Sequence, residues 1–166
     1  MEGQDREALA RRLVDTYSDQ LLRLAYSLLN NVPDAQDVCH EALLKRLDHA
    51  PIFESREHER AWLIRVTINL CKNLRRSPWC TRTVGLDTVA EQAAFQPEEG
   101  GVLEEVQQLP AKYREVLVLY YYMGYDTNEI ADILSIRAEA VRARMSRARQ
   151  KLRLGLEVQG YGKLSR

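Results

Sequence analysis

The sequence predicts an all-α protein made of two small helical domains joined by a flexible acidic linker. Apolar residues recur at helical spacing in both halves of the 166-residue chain, and acidic residues and glycines fill the stretch between them. The second half also contains a helix-turn-helix pattern. We expect a first domain at residues 1–78, the linker at 79–104, a second domain at 105–158 and a tail at 159–166.

The charges of the chain are distributed in blocks. The net charge is zero, with 24 Lys and Arg against 24 Asp and Glu, yet residues 60–82 contain six basic residues and no acidic one. Residues 83–108 contain six acidic residues and no basic one, and residues 137–166 are again strongly basic. Two basic blocks separated by an acidic one predict two nucleic-acid contacts on one chain.

Several classes of function find no support in the composition. The three cysteines, Cys39, Cys71 and Cys80, lack the spacing of a metal site and predict reduced thiols in a cytoplasmic protein, with no metal and no cofactor. The chain has no glycine-rich phosphate loop and no nucleophile–base motif, so we do not expect an enzyme. It also has no signal peptide and no apolar run of membrane-spanning length, so we expect no stable membrane insertion.

The first helical pattern covers residues 6–30 and is compatible with one helix or two. Its apolar face holds Leu9, Leu13, Tyr17, Leu21, Leu24, Ala25 and Leu28. Residues 30–32 interrupt the pattern. Pro33 suits the first turn of the next helix, because its missing N–H has no intrahelical partner there.

The second helical pattern covers residues 33–48 and has two faces. Its core face is expected to hold Val38, Ala42, Leu43 and Leu47. Asp37, His40 and Glu41 follow the spacing i, i+3, i+4 and share a polar, acidic face. From spacing alone, that face is more typical of a solvated helix surface than of a binding site.

A loop is predicted at residues 50–57 and a third helix at 58–76. The buried stripe of this helix is expected to hold Trp62, Leu63, Val66, Leu70 and Leu74. Asn69 and Asn73 lie one step off the stripe, among the basic residues Lys72, Arg75 and Arg76. Such amides suit base edges or phosphates, although two chance surface amides would give the same pattern.

In the second half, helix is expected to resume at 103–109, and Pro110 opens the helix after it. The core residues of that helix are predicted to be Tyr113, Val116, Leu117, Leu119 and Tyr120. We interpret the triplet Tyr120–Tyr122 as the edge of a core rather than a base-stacking platform. Gly124 is expected to end the helix.

The stretch 126–153 has the pattern of a helix-turn-helix. Asp126 and Glu129 have capping-box spacing, and a polar break follows at 135–137. The second helix places Val141, Met145, Ala148 and Leu152 on its apolar face. Its basic residues are Arg137, Arg142, Arg144, Arg147, Arg149, Lys151 and Arg153, against the single acid Glu139. This excess of basic charge predicts a helix that contacts DNA.

These stretches resemble the bacterial sigma-70 superfamily, in its extracytoplasmic-function (ECF) group, over nearly the whole chain. In the first half, the resemblance is carried by DAQDVCHEALLKRLD and RAWLIRVTINLCKNLRR. In the second half, it is carried by LPAKYREVLVLYYYMGYDTNEIADILSIRAEAVRARMSRARQKLR. The implied fold is a region 2 helical bundle followed by a region 4 helix-turn-helix.

The resemblance implies a role for each candidate residue. Asp37, His40 and Glu41 would dock on the core RNA polymerase, whose β′ clamp and β flap are the implied partners. The implied −10 contacts are Asn69, Lys72, Asn73, Arg75 and Arg76, and loop 50–57 would form part of a pocket for a flipped −10 base. The implied −35 contacts are Arg142, Ala143, Arg144, Ser146, Arg147 and Arg149. Arg144 and Arg149 are assigned to phosphates or to packing of the helix pair. Promoter DNA and an anti-sigma factor complete the implied partners.

The chain departs from the family pattern at three places. His40 stands where the family usually has Gln, and Ser135 replaces the usual turn glycine. Glu139 and Ala140 replace a Gly-Thr or Gly-Ser pair, which removes a hydroxyl near the start of the helix. The changes at Ser135, Glu139 and Ala140 predict an altered −35 preference within an intact fold.

Two functions compete on this sequence. The favoured one is a sigma factor, a dissociable subunit that gives RNA polymerase its promoter choice. The alternative is a stand-alone helix-turn-helix repressor or activator whose N-terminal half is a dimerisation domain. A sigma factor binds core polymerase as a monomer and recognises two boxes, whereas a repressor typically binds a palindrome as a dimer.

Overall fold

The computed structural model describes residues 3–49, 51–76 and 101–158, which belong to two compact units. The described residues are almost entirely helical and include no strand, which confirms the all-α class. The predicted linker as far as residue 100, Cys80 and the predicted tail 159–166 lie outside this description. Within the described ranges, no helix combines the length and hydropathy needed to cross a membrane.

The first unit begins with helix α1, Gly3–Leu29, which is one continuous helix. Its buried residues follow the predicted face, except that Leu9 is only half-buried. The helix ends at Leu29 and is followed by Asn30, whose φ of 53° lies in the left-handed region that asparagine tolerates. Helix α2, Val32–Asp48, then starts one residue earlier than predicted, because the Asn31 side chain accepts a hydrogen bond from the backbone N–H of Asp34.

Helices α1 and α2 pack against helix α3, Arg56–Arg76, to form a three-helix unit. On α2, Val38 and Ala42 are buried, while Leu43 and Leu47 are half-buried. The loop before α3 ends at Ser55, two residues earlier than predicted. The Ser55 hydroxyl accepts a hydrogen bond from the backbone N–H of His58, which satisfies a donor in the first turn of α3.

The buried stripe predicted for α3 is wrong by about one helical position. Only Leu63 of the five predicted residues is buried, and Trp62, Val66, Leu70 and Leu74 are half-buried. The buried residues of α3 are Glu59, Leu63, Ile64, Thr67, Ile68 and Cys71. The helix carries apolar residues on two neighbouring stripes, and packing against both α1 and α2 buries the second of them.

The second unit begins with helix α4, Gly101–Gln108, two residues earlier than predicted. Pro110 precedes helix α5, Ala111–Leu117, and the chain continues without a break as a π-helical segment, Val118–Tyr122. Gly124 follows with φ of 84°. An added Cβ there would meet no atom within 4 Å, so the backbone conformation rather than crowding favours glycine.

The tyrosine triplet lies within the π-helical segment and is not the core edge that we predicted. Tyr120, Tyr121 and Tyr122 are 37%, 59% and 50% exposed. A π-helical turn contains more residues than an α-helical turn, so it changes the direction of the side chains that follow Leu119. Nothing in the sequence marks this wider turn.

The unit is completed by helix α6, Thr127–Leu134, and helix α7, Ala138–Val158. Helix α7 packs against α4, α5 and α6 and is therefore the central element of this unit. Val141, Met145 and Ala148 of α7 are buried as predicted, whereas Leu152 is half-buried.

Candidate nucleic-acid interface

The turn between α6 and α7 is fixed by hydrogen bonds at both ends of α6. The carboxylate of Asp126 accepts from the backbone N–H of Glu129 at 2.8 Å, and the Glu129 side chain accepts from the N–H of Asp126 at 2.9 Å. This confirms the predicted capping box. At the other end, Ser135 is left-handed with φ of 59°, and the N–H of Ile136 donates to the carbonyl of Ala131 at 3.0 Å. These features form a Schellman motif, which gives α7 a defined direction.

Helix α7 separates its buried face from its polar face. Arg142, Ala143, Ser146 and Arg147, the four residues predicted to face the −35 element, are all exposed. The neighbouring Val141, Met145 and Ala148 are at most 2% exposed. Because the apolar residues hold the helix on its unit, the four predicted residues lie together on the surface.

The other two predicted residues of this helix, Arg144 and Arg149, are half-buried. Nε of Arg149 donates to the hydroxyl of Tyr121 at 2.8 Å, and the guanidinium carbon lies 5.6 Å from the centroid of the same ring. A guanidinium held against an aromatic face contributes to packing as well as to surface charge. The structure therefore brings Arg149 to the π-helical segment rather than to the exposed group of four.

Glu139, in the first turn of α7, lies close to one predicted contact residue. A carboxylate oxygen of Glu139 is 3.6 Å from Nη2 of Arg142, and both side chains are largely exposed. An exposed pair of this kind contributes little to stability.

A second polar surface lies on α3. Asn69, Asn73 and Arg76 are exposed, while Lys72 and Arg75 are half-buried. Nη1 of Arg75 is buried and has no hydrogen-bond partner among the described residues. Three of the five predicted −10 residues therefore lie on the surface, and two lie at its border.

Trp62 belongs to the same side of α3 as the two asparagines. Asn69 and Asn73 follow Trp62 by seven and eleven positions, which returns them to one face of a helix. The Trp62 ring makes an edge contact with Phe53 at a centroid distance of 5.7 Å. The loop before α3 thus meets the N-terminal end of the asparagine face. Sequence reasoning did not single out Phe53, because an aromatic residue in an irregular loop has no periodicity to mark it.

The third surface lies on α2, where Asp37, His40 and Glu41 are all exposed as predicted. Leu44 follows Asp37 by seven positions and is 39% exposed, which extends this face with an apolar side chain. Sequence reasoning missed Leu44, although its i+7 spacing from Asp37 could have identified it.

Comparisons with known proteins match both halves of the chain. The family model for sigma-70 region 2 matches residues 13–80, and the model for sigma-70 region 4 matches residues 100–152. The two matches coincide with the two structural units and occur in the order expected from the sequence.

Relatives of known function match over most of their length. The ECF RNA polymerase sigma factor SigL of Mycobacterium tuberculosis (strain H37Rv) is 32% identical over 162 residues, covering 92% of each chain. The ECF RNA polymerase sigma factor SigW of Bacillus subtilis (strain 168) is 28% identical, covering 90% of this chain and 89% of its own. The solved structure of CnrH, in complex with the cytosolic domain of CnrY, has a TM-score of 0.67 at 25% identity and covers 91% of this chain and 89% of its own. The chain therefore belongs to the sigma-70 family of RNA polymerase sigma factors, in its ECF group.

Proposed function

We propose that this sigma factor recognises the −35 element with the exposed face of α7 and opens the −10 element with the exposed face of α3. The −35 assignment rests on one observation: α7 has an exposed polar face and a buried apolar face. Arg142, Ser146 and Arg147 are exposed together, while the apolar residues Val141, Met145 and Ala148 of the same helix are buried. Arginine can donate two hydrogen bonds to a guanine edge in the major groove, and serine can contact either base type.

The −10 assignment is supported by the mixed character of the α3 face. A protein that opens a duplex must hold the single strand by its phosphates and contact its displaced bases. Arg76 offers positive charge, Asn69 and Asn73 offer donors and acceptors, and Trp62 offers an aromatic surface. Lys72 and Arg75, at the border of this face, are assigned to the phosphate backbone.

Docking on the core polymerase is assigned to α2. Asp37, His40 and Glu41 present an exposed acidic face, and Leu44 adds apolar area beside it. A small apolar contact surrounded by charged groups is typical of an interface that forms and dissociates. We place the β′ clamp on this face and the β flap on the second unit, as the family resemblance implies.

The remaining assignments follow from the family. The chain is proposed to act in the cytoplasm as a non-catalytic subunit of the polymerase. We include an anti-sigma factor among the proposed partners, because the related CnrH is in complex with the cytosolic domain of another protein. The alternative, a stand-alone repressor with an N-terminal dimerisation domain, is not favoured because region 2 of the sigma-70 family matches that half.

Transcription in vitro tests the proposed function directly. Purified core polymerase would be combined with the full chain on a library of promoters randomised in both boxes. We expect transcripts that require the chain, from promoters that share two boxes at fixed spacing. A chain that binds palindromic DNA as a dimer, and gives no transcript with core polymerase, would contradict the proposal.

A further inference from the structure

A buried carboxylate joins the three helices of the first unit. Glu59 of α3 is 2% exposed and accepts hydrogen bonds from side chains of both other helices. Arg12 of α1 donates to its two oxygens at 3.0 and 2.9 Å, and the Tyr17 hydroxyl donates at 2.8 Å. Arg46 of α2 donates through Nε at 2.8 Å. We call Glu59 and these three partners the Glu59 network.

The network keeps Glu59 ionised although it is buried. Burial alone would raise the pKa of its carboxyl group, but the hydrogen bonds from Arg12, Tyr17 and Arg46 outweigh it and hold the pKa below its ordinary value. Burial and the hydrogen bond to Glu59 raise the pKa of Tyr17 to about 12. At neutral pH the carboxylate is therefore an ionised acceptor that fixes the position of two arginines.

Of the two arginines, Arg46 also contacts the loop before α3. The guanidinium carbon of Arg46 lies 4.8 Å from the centroid of the Phe53 ring. The Phe53 ring in turn contacts the rings of His58, at 5.2 Å, and Trp62, at 5.7 Å. Phe53 is thus held between Arg46 of α2 and two aromatic residues of α3.

The remainder of the loop is exposed beside this anchor. Ile52, directly before Phe53, is 93% exposed, and Pro51 is exposed as well. The Phe53 ring anchors this solvent-exposed segment, together with the hydrogen bond that the Glu54 N–H donates to Nδ1 of His58 at 3.2 Å. Because Phe53 touches Trp62, that segment lies at the N-terminal end of the face that carries Asn69 and Asn73.

We propose that Glu59 and Arg46 are positioning residues: they hold Phe53, and with it residues 51–55, in the conformation that selects a displaced base of the −10 element. This inference rests on the proposed function, because it assumes that α3 meets opened promoter DNA. Arg46 stacks on Phe53 while its Nε donates to Glu59, so one side chain links the buried carboxylate to the ring. The base preference of the loop consequently depends on a carboxylate that is itself buried.

Arg46 carries one further feature that fits a ligand. Its Nη1 is buried and has no hydrogen-bond partner among the described residues. An unsatisfied buried donor is costly, and an acceptor that reaches it relieves the cost. Nη1 is bonded to the carbon that stacks on Phe53, so it lies beside the same ring. An acceptor reaches this donor only if the side chains that bury it move apart, as insertion of a base beside Phe53 would require.

Two matched substitutions test whether Arg46 positions the loop before α3 or only stabilises the first unit. Arg46→Lys and Arg12→Lys each replace an arginine that binds Glu59 with a residue of equal charge, and lysine cannot reproduce a planar stack on an aromatic ring. We expect both variants to have lower thermal stability. Only Arg46→Lys should speed hydrogen exchange of the amides of residues 52–55 and broaden the −10 base preference, measured by transcription from the randomised library. The expected loss of discrimination at the preferred base is about fivefold or more, the lower range for one base pair in a site.

A third variant removes the ring and leaves the Glu59 network in place. Phe53→Leu should broaden the base preference like Arg46→Lys, with a smaller effect on thermal stability. Equal base preferences for Arg46→Lys, Arg12→Lys and the wild type would overturn the inference and leave the network with a structural role. Failure of the wild-type chain to support any core-dependent transcription would instead overturn the proposed function, so the two failures are distinguishable.

Discussion

The two units hold the helices that we propose to contact DNA by different means. Helix α3 of the first unit is tied to α1 and α2 through the buried Glu59 carboxylate, whose partners lie 13 to 47 positions away along the chain. Helix α7 of the second unit rests on an apolar face, and its turn is set by local hydrogen bonds at Asp126 and Ser135. The position of an exposed helix face thus depends on long-range charge pairing in the first unit and on local backbone geometry in the second.

The difference also concerns what each surface must do. A helix that recognises intact duplex needs only a rigid presentation, which capping and an apolar core supply. A surface that receives a displaced base also needs a loop at a defined position, and loops lack a hydrogen-bond ladder of their own. In the role that we propose for the first unit, the Glu59 network provides that support.

The largest expected effect is a loss of core-polymerase binding that leaves −35 binding unchanged. Charge reversal at Asp37 and Glu41, as Asp37→Lys with Glu41→Lys, should abolish binding to core polymerase because both exposed carboxylates belong to the docking face. Binding of the full chain to −35 duplex should be unchanged, because α7 belongs to the other unit. Co-elution with core polymerase and fluorescence anisotropy with a −35 duplex would measure the two properties.

A matched control tests whether net charge alone explains the loss. Asp5→Lys with Asp15→Lys makes the same charge change on exposed positions of α1. This control should retain core binding. Wild-type affinity of the Asp37/Glu41 variant for core polymerase would refute the docking assignment.

The next effect concerns the stability of the first unit. Glu59→Gln should lower its free energy of unfolding by about 3–5 kcal/mol, because the buried guanidinium of Arg46 loses its counter-charge. Glu57→Gln, an exposed neighbour on the same helix, should change it little. Thermal unfolding followed by circular dichroism would measure both, and equal melting temperatures for the two variants would contradict the importance of the network.

The pH dependence of stability should also differ between the units. The pKa of Glu59 is lowered from its ordinary value of 4.5. The ionised carboxylate therefore makes its full contribution to the free energy of unfolding above about that pH. It is lost as the pH falls through the lower pKa of the folded state. We expect acid to unfold the first unit before the second, and Glu59→Gln to remove this part of the pH dependence. Residue-resolved hydrogen exchange across an acid titration would measure the order of unfolding.

A smaller effect concerns sequence preference on α7. Arg142→Ala should cost about 1–3 kcal/mol of −35 binding and relax the preference at particular base pairs. Arg149→Ala should weaken all sequences alike, because that side chain is held against Tyr121. Binding to a −35 duplex library would separate the two patterns. A uniform loss for Arg142→Ala would assign that residue to the phosphate backbone.

The smallest effect concerns the turn before α7. Ser135 has a left-handed conformation that carries a steric cost for any residue with a Cβ. Ser135→Gly should therefore stabilise the second unit by about 1 kcal/mol. Ser135→Ala, which keeps the Cβ, should give no such gain. Chemical denaturation monitored for the second unit would measure the change, and equal stability of the two variants would argue against strain at this turn.

The same contrast explains what the sequence could predict. The capping box at Asp126, the turn at Ser135 and the buried residues Val141, Met145 and Ala148 follow local rules, and all were predicted correctly. The face of α3 was misassigned because two apolar stripes compete on it, and packing against α1 and α2 decides between them. Burial of the charged Glu59 depends on arginines from distant helices, which periodicity cannot reveal.

Some surface features were also predictable from the sequence and others were not. The exposure of Asp37, Asn69 and Arg142 was predictable, because polar residues off an apolar stripe face solvent. The exposed tyrosines of Val118–Tyr122 and the anchored Phe53 were not, since a π-helical turn and an irregular loop leave no regular pattern.

Permanganate footprinting of thymines in the −10 element tests the account most directly. The variant Asn69→Ala with Asn73→Ala would be compared with the wild-type chain, bound to core polymerase, on duplex promoter and on a promoter already mismatched across the −10 box. We expect normal core and −35 binding, loss of thymine reactivity on the duplex, and a smaller defect on the mismatched template, because the cost of opening is absent there. Wild-type reactivity of the double variant on the duplex would contradict the account and leave the basic face of α3 as a nonspecific phosphate contact.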